Sequence, residues 1–298
     1  MIVTVVLGLA AAALLGAGFV AQQHAAYTEP LGEMLRLHLL LDLVRKPLWL
    51  AGIGAMVAGQ VLGALVLQRT DVSRAEPLLA TNLIFALALA SVLYRERLGR
   101  WEWLGAVLVS GGVASFLVFG QPEGGTLPGS TSAAWLALPV TLLVAGGLVA
   151  VAIRVALPIK AMLLAAAAGI LYGTQDVLTR DSLVRLGQSG QGPGMLLTVW
   201  QPYTLVAVAA VGIWLSQSAF DAAPLRVSLP AATAAEPIVG IVLGVAILGE
   251  RLRVDPPALA GEVVGLIALV VGIVILGHSP SLAKSEQGDS RRPDEERE

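Results

Sequence analysis

Along most of this chain apolar residues neither alternate nor fall on one helical stripe; they run on for about twenty positions at a time, and polar residues collect between the runs. Nine such runs are present, at roughly 2–22, 48–68, 74–94, 101–120, 133–153, 161–179, 196–216, 227–248 and 258–277. A helix rises 1.5 Å per residue, so about 20 residues cross a hydrocarbon core of roughly 30 Å. The pattern predicts an all-α, polytopic membrane protein with about nine transmembrane helices.

The segments between the runs differ in kind. No Lys or Arg precedes the first run, which continues into "AQQHAAYTEP" without a clear break. A secretory signal has a basic start and a cleavage site, so this run is expected as a retained first span. Residues 30–46 place His38, Asp42, Arg45 and Lys46 on one arc of a helical wheel, with Leu37, Leu40, Leu41, Leu43 and Val44 on the other. Such a segment is expected to lie in the headgroup plane; a degenerate hairpin or a partial span is the alternative. Residues 121–132, "QPEGGTLPGSTS", form a flexible linker. The polar, charge-mixed stretch 278–298 is expected to be a disordered tail.

Composition narrows the function classes. Hydrophobic residues make up 56% and charged residues 13%, against about 25% charged in a soluble domain. A net charge of −2 offers no basic surface for nucleic acid. Cysteine is absent, and His24, His38 and His278 lie at run ends or in connections, so neither enzyme chemistry nor a cofactor is expected.

Lysine and arginine set the orientation. The odd-numbered connections and the tail hold 13 of them, against 6 for the even-numbered connections. The richer side is cytoplasmic by the positive-inside rule, which puts the N-terminus outside and the C-terminus in the cytoplasm of a cell whose inner or plasma membrane holds the chain.

An internal repeat emerges when "YRERL" (94–98) is set over "GERL" (249–252), at an offset of 154 between Glu96 and Glu250. With a one-residue slip Pro77 then falls on Pro230, and Asn82 on Glu236. Upstream, "LLGAGFVAQQ" matches "LYGTQDVLTR", with Gly16 over Gly173, and Trp49 and Gln68 have counterparts in Trp200 and Gln217. Spans one to four thus repeat as six to nine. The odd offset of five spans makes the copies inverted, as in many carriers. The chain divides into a first repeat at 1–120, the linker 121–132, a central span at 133–153, a second repeat at 161–277 and the tail.

Glu236 is the outstanding polar residue. It lies nine residues into its run, about 14 Å deep. A charge there costs on the order of 2.5–3.5 kcal/mol on insertion scales and ordinarily faces a cavity or a partner. The next residue, Pro237, removes a helical hydrogen bond and favours a kink. A protonated Glu bonded between helices is the alternative. Asp176, Gln175, Gln60, Asn82 and Gln201, beside Pro202, are further candidates for substrate or ion binding. The bland readings are an Asp176–Arg180 pair and amide contacts between helices. The terminal acids Glu96, Glu102, Glu250 and Glu262 are read as interface residues. Trp49, Trp101, Trp103 and Trp135 are read as interfacial anchors, and Gly111, Gly112, Gly146, Gly147, Gly261 and Gly265 as close-packing positions.

Two units of proline, apolar helix and "ERL" carry a family likeness: Pro77 to 96–98, and Pro230 to 250–252. Each is followed by a glycine-rich span, "GAVLVSGGVASF" and "GEVVGLIALVVGIV". Together they resemble the drug/metabolite transporter superfamily, and "PLWLAGIGAMVAGQVLGALVL" with "EPLLATNLIFALALASVLYRERLGRWEWLGAVLVSGGV" resembles its NIPA-like, magnesium-associated branch. The resemblance covers residues 1 to 277. Members usually have ten spans in two five-helix repeats, which differs from the nine counted here. The resemblance implies alternating access around a central site and a small-molecule or ion substrate. A proton- or cation-coupled carrier is the first expectation, in contact with the bilayer and with room for a homodimer. Passage of Mg²⁺ through Glu236 and Asp176 is the second, and a non-transporting membrane subunit the third.

Overall fold

The computed structural model describes residues 2–28, 35, 37–67, 78–93, 98–120, 123–124, 131–189, 197–251, 253 and 255–277. The helices are α1 (Ile2–Tyr27), α2 (Leu37–Leu43), α3 (Pro47–Leu67), α4 (Asn82–Leu93), α5 (Arg100–Gly120), α6 (Thr131–Ala152), α7 (Leu157–Ser189), α8 (Gln201–Ala222), α9 (Leu225–Leu243) and α10 (Pro256–Gly277). Glu123–Gly124 (β1) pairs antiparallel with Glu250–Arg251 (β2). Among the described residues α1, α5, α7, α8, α9 and α10 contain stretches long and apolar enough to cross a membrane, and α3, α4 and α6 contain shorter apolar ones. These nine correspond to the nine runs, so the protein is an all-α polytopic membrane protein.

Local chemistry sets several helix ends. At the start of α5 the Glu102 carboxylate accepts the Gly99 N–H at 2.8 Å, the reciprocal half of a capping box. Glu102 is buried at 3% exposure, so it acts inside the fold and not as the interface residue expected. At the end of α1 the Lys46 ammonium donates to the Ala25 carbonyl at 3.2 Å and to Thr28 Oγ1 at 2.8 Å, satisfying an orphan acceptor of the last turn. Helix α9 continues unbroken through Pro230 and Pro237 and becomes a π turn at Gly244–Leu248. Gly249 closes that turn at φ 71°, a conformation that favours glycine. Pro202 stands in the first turn of α8, where a missing N–H forfeits no helical bond; it starts a helix where a kink was expected.

Two sets of helices pack equivalently. In the first, α1 lies against α3 and α4, and α4 against α5; in the second, α7 lies against α8 and α9, and α9 against α10. The sets meet through α5 on α10, α1 on α8 and α4 on α9, while α6 covers α7 and the π turn. Glycine allows the closest crossings. A Cβ at Gly16 would lie 2.8 Å from the Asn82 carbonyl oxygen, and one at Gly173 would run into the Glu236 carbonyl oxygen. Both glycines and both polar residues are the pairs that the sequence repeat aligns, so the two inverted copies share this contact.

Other expectations shift. Among the glycines, Gly112, Gly261 and Gly265 face close neighbours, whereas Gly111, Gly146 and Gly147 have nothing within 4 Å of a built Cβ and pack against nothing described. Helix α2 buries Leu39 and Leu43 fully while Leu41 and Val44 stay exposed, because Leu39 and Leu43 reach the core that Phe220 and Leu225 also enter. His38 meets Asp42 at 2.8 Å on its outer side. Pro77, Gln68, Glu96, residues 30–34, the linker apart from 123–124 and the first residues of α6 at 131–132, the tail and the Arg180 and Trp135 side chains lie outside the described residues.

Candidate substrate site

The close crossing of α7 and α9 at Gly169 and Gly173 brings Glu236 beside Tyr172, the residue preceding Gly173. Glu236 is half-buried, and its carboxylate lies within electrostatic reach of the Tyr172 hydroxyl. Tyr172 Oη is 2.9 Å from Ser216 Oγ on α8. The single Ser216 proton goes to the Ile213 carbonyl at 2.9 Å, so Tyr172 is the donor to Ser216. The phenolic oxygen retains acceptor capacity, and the triad presents chiefly acceptors.

Across the bundle, α4 packs on α9. Asn82 begins the 12-residue α4, which places it roughly 16 Å from the end of that helix, and Glu236 lies about 16 Å from the start of α9. Those two ends lie on one side of the predicted topology, so Asn82 and Glu236 sit at matching depth. Asn82 Oδ1 is buried and has no hydrogen-bond partner among the described residues, a condition that normally costs about 1–3 kcal/mol.

The remaining candidates stand elsewhere. Gln60 is exposed on α3, and Asp176 is exposed one turn beyond Tyr172 on α7. Gln175 is half-buried and its carbonyl accepts from Thr179 Oγ1 at 2.8 Å. Gln201 is buried at the first residue of α8, where its amide donates to Asp181 Oδ2 at 3.0 Å. Asp181, Tyr172 and Ser216 were not singled out in the sequence. Among the described residues no group of three or more His, Cys, Asp or Glu side chains could hold a metal ion.

A second polar cluster links the two sets. Trp49 Nε1 donates to Gln217 Oε1 at 3.1 Å, Gln217 Nε2 donates to Gln22 Oε1 at 2.6 Å, and Gln22 Nε2 reaches Met56 Sδ. Trp49 is thus a buried donor between helices, at 7% exposure, and not the interfacial anchor that its position at a run boundary suggested.

Among the described residues, eight apolar helices in two equivalently packed sets, a ninth laid against the second set, and polar side chains held at half depth define a polytopic protein of the transporter class. Residues 2–118 match the EamA-like transporter family. A protein of Corynebacterium glutamicum, itself described as uncharacterised, is 30% identical over 285 residues, covering 94% of this chain and 96% of the relative. The chain belongs to the EamA-like transporter family, within the drug/metabolite transporter superfamily. Two probable 4-amino-4-deoxy-L-arabinose-phosphoundecaprenol flippase subunits ArnE, from Pseudomonas fluorescens strains Pf-5 and Pf0-1, are each 41% identical, over 66 and 71 residues. Those matches take in 22% and 24% of this chain and 57% and 61% of the relatives. No solved structure matches the chain.

Proposed function

We propose that this protein is a secondary carrier of the inner membrane that moves a small amine-bearing or otherwise cationic solute by alternating access, coupled to a proton or another cation. Residues 1–120 and 161–277 are the two halves that rock, with the N-terminus outside and the C-terminus in the cytoplasm. The observation carrying this reading is Glu236 at half depth beside the Tyr172–Ser216 pair, on the helix that packs against α4, which contributes Asn82. A carboxylate, a phenol oxygen and an amide oxygen accept hydrogen bonds, and a solute rich in donors and positive charge satisfies them. The same carboxylate can hold a proton when the solute is absent, which supplies the exchange. The partial likeness to a flippase subunit whose named substrate carries an amino group supports the same solute class.

The test is transport in proteoliposomes across a panel of amines, amino acids and Mg²⁺, at two pH values. Glu236→Gln is expected to lower the rate at least about tenfold and to abolish its pH dependence. Unchanged rate and coupling in that variant would remove Glu236 from the mechanism.

A further inference from the structure

At the end of the bundle where α1 and α8 finish, one apolar core draws on both halves. Val20 of α1, Trp49 of α3, Leu83 and Leu87 of α4, Phe220 of α8 and Leu276 of α10 all belong to it. A second large cluster, around Leu164, Ala168 and Leu215, is built from α6, α7, α8 and α9 alone among the helices, and deeper in the bundle only a smaller cluster of Ala80, Val113, Ala234 and Leu269 joins the halves among the described residues. The inter-set contacts repeat this asymmetry. Helix α1 packs on α8, whereas α7 and α3, the pair that the repeat equates with them, do not pack in this way among the described residues. One end is closed across the halves.

Inside the closed end, Gln217 of the second half is inserted between α1 and α3 of the first. It is 0% exposed, takes a hydrogen bond from Trp49 on one side and gives one to Gln22 on the other. One turn away Phe19 and Phe220 meet edge to face at 6.4 Å, and the adjacent Ser218 Oγ accepts the Leu35 N–H at 3.2 Å. An amide has a donor and an acceptor at one tip, so Gln217 joins both first-half helices at once. Separating α8 from α1 and α3 strands Gln217, Gln22 and the Trp49 indole unless water enters with the movement. The polar bonds release in a wet path, whereas a purely apolar plug offers water nothing in exchange.

We propose that Gln217 is the latch of the cytoplasmic gate, held by Trp49 and Gln22, and that this structure is the state closed to the cytoplasm. The proposal rests on the carrier reading and its orientation, and deepens both by naming the residue that sets the balance between the two states.

The chain contains no cysteine, so one introduced thiol reports the gate. Ile213 lies one turn deeper than Gln217 on α8 and packs on the shared core. In vesicles of known sidedness, an Ile213→Cys chain is expected to react slowly with a charged, membrane-impermeant maleimide applied from the cytoplasmic face. Adding Gln217→Leu is expected to raise that rate on the order of tenfold, the scale of one or two strong interhelical hydrogen bonds in a membrane. Trp49→Phe, which removes the donor and keeps most of the ring packing, is expected to raise it several-fold. Faster labelling from the opposite face alone supports the latch and reverses the orientation. Unchanged labelling from both faces in Trp49→Phe overturns the proposal, even if Gln217→Leu fails to fold. Labelling needs no substrate, so that failure leaves the carrier reading standing.

Discussion

A Cβ at Gly173 would run into the main-chain oxygen of Glu236, so the backbone that carries the acid at half depth crosses α7 at a point only a glycine leaves open. The Gly16–Asn82 contact in the first half repeats the arrangement. A methyl group at Gly173 has no room, and α9 must shift to admit it. Gly173→Ala is expected to destabilise the protein by about 1–3 kcal/mol, read as a lower melting temperature in detergent. Gly146→Ala on α6, where a built Cβ meets nothing within 4 Å, is expected to be neutral or to stabilise by up to about 1 kcal/mol through helix propensity. Equal losses at the two sites would contradict the packing described.

Tyr172→Phe removes the hydroxyl that meets Ser216 while Ser216 keeps its bond to the Ile213 carbonyl. The folded protein is expected to lose no more than about 1 kcal/mol, the ordinary net value of one hydrogen bond. Transport is expected to fall severalfold, with the larger change in the apparent affinity for a cationic solute. A melting-temperature loss as large as that of Gly173→Ala, with normal transport, would make Tyr172 a structural residue only.

Asn82 separates stability from function in the opposite direction. Its Oδ1 is buried and finds no partner among the described residues. Replacing an unsatisfied polar group by an apolar one of similar shape is neutral or stabilising, so Asn82→Leu is expected to raise the melting temperature or leave it unchanged. Because this oxygen is proposed to meet the solute, the same variant is expected to transport at least about fivefold more slowly. Retained transport would take Asn82 out of the site.

The sequence made some of this legible and hid the rest for physical reasons. Nine spans were readable because apolar length alone decides whether a helix can cross lipid, and Glu236 stood out because a carboxylate at depth is costly. The pairing of Asn82 with Glu236 followed from the repeat, and the equivalent glycine contacts now support that register. Tyr172 and Ser216 were not readable: a lone hydroxyl in an apolar run costs little and leaves no periodic signature. Trp49 and Gln217 were seen as repeat counterparts, yet their mutual bond depends on how α3 and α8 cross. Nothing in either run records that. The start of α8 was placed five residues early because the hydrophobic stretch extends beyond the helix, and Pro202 was consequently read as a kink.

The α5–α10 contact has a mechanical consequence. Gly105 faces the Gly272 carbonyl and Gly112 faces the Gly265 carbonyl, and each relation is reciprocated, so two antiparallel helices touch backbone to backbone at points seven residues apart. Side chains at such a seam have almost nothing to repack when the bundle tilts, and it can serve as an axle about which the rest turns. A polypeptide severed between its two sets of helices would still have that seam by which each fragment could find the other.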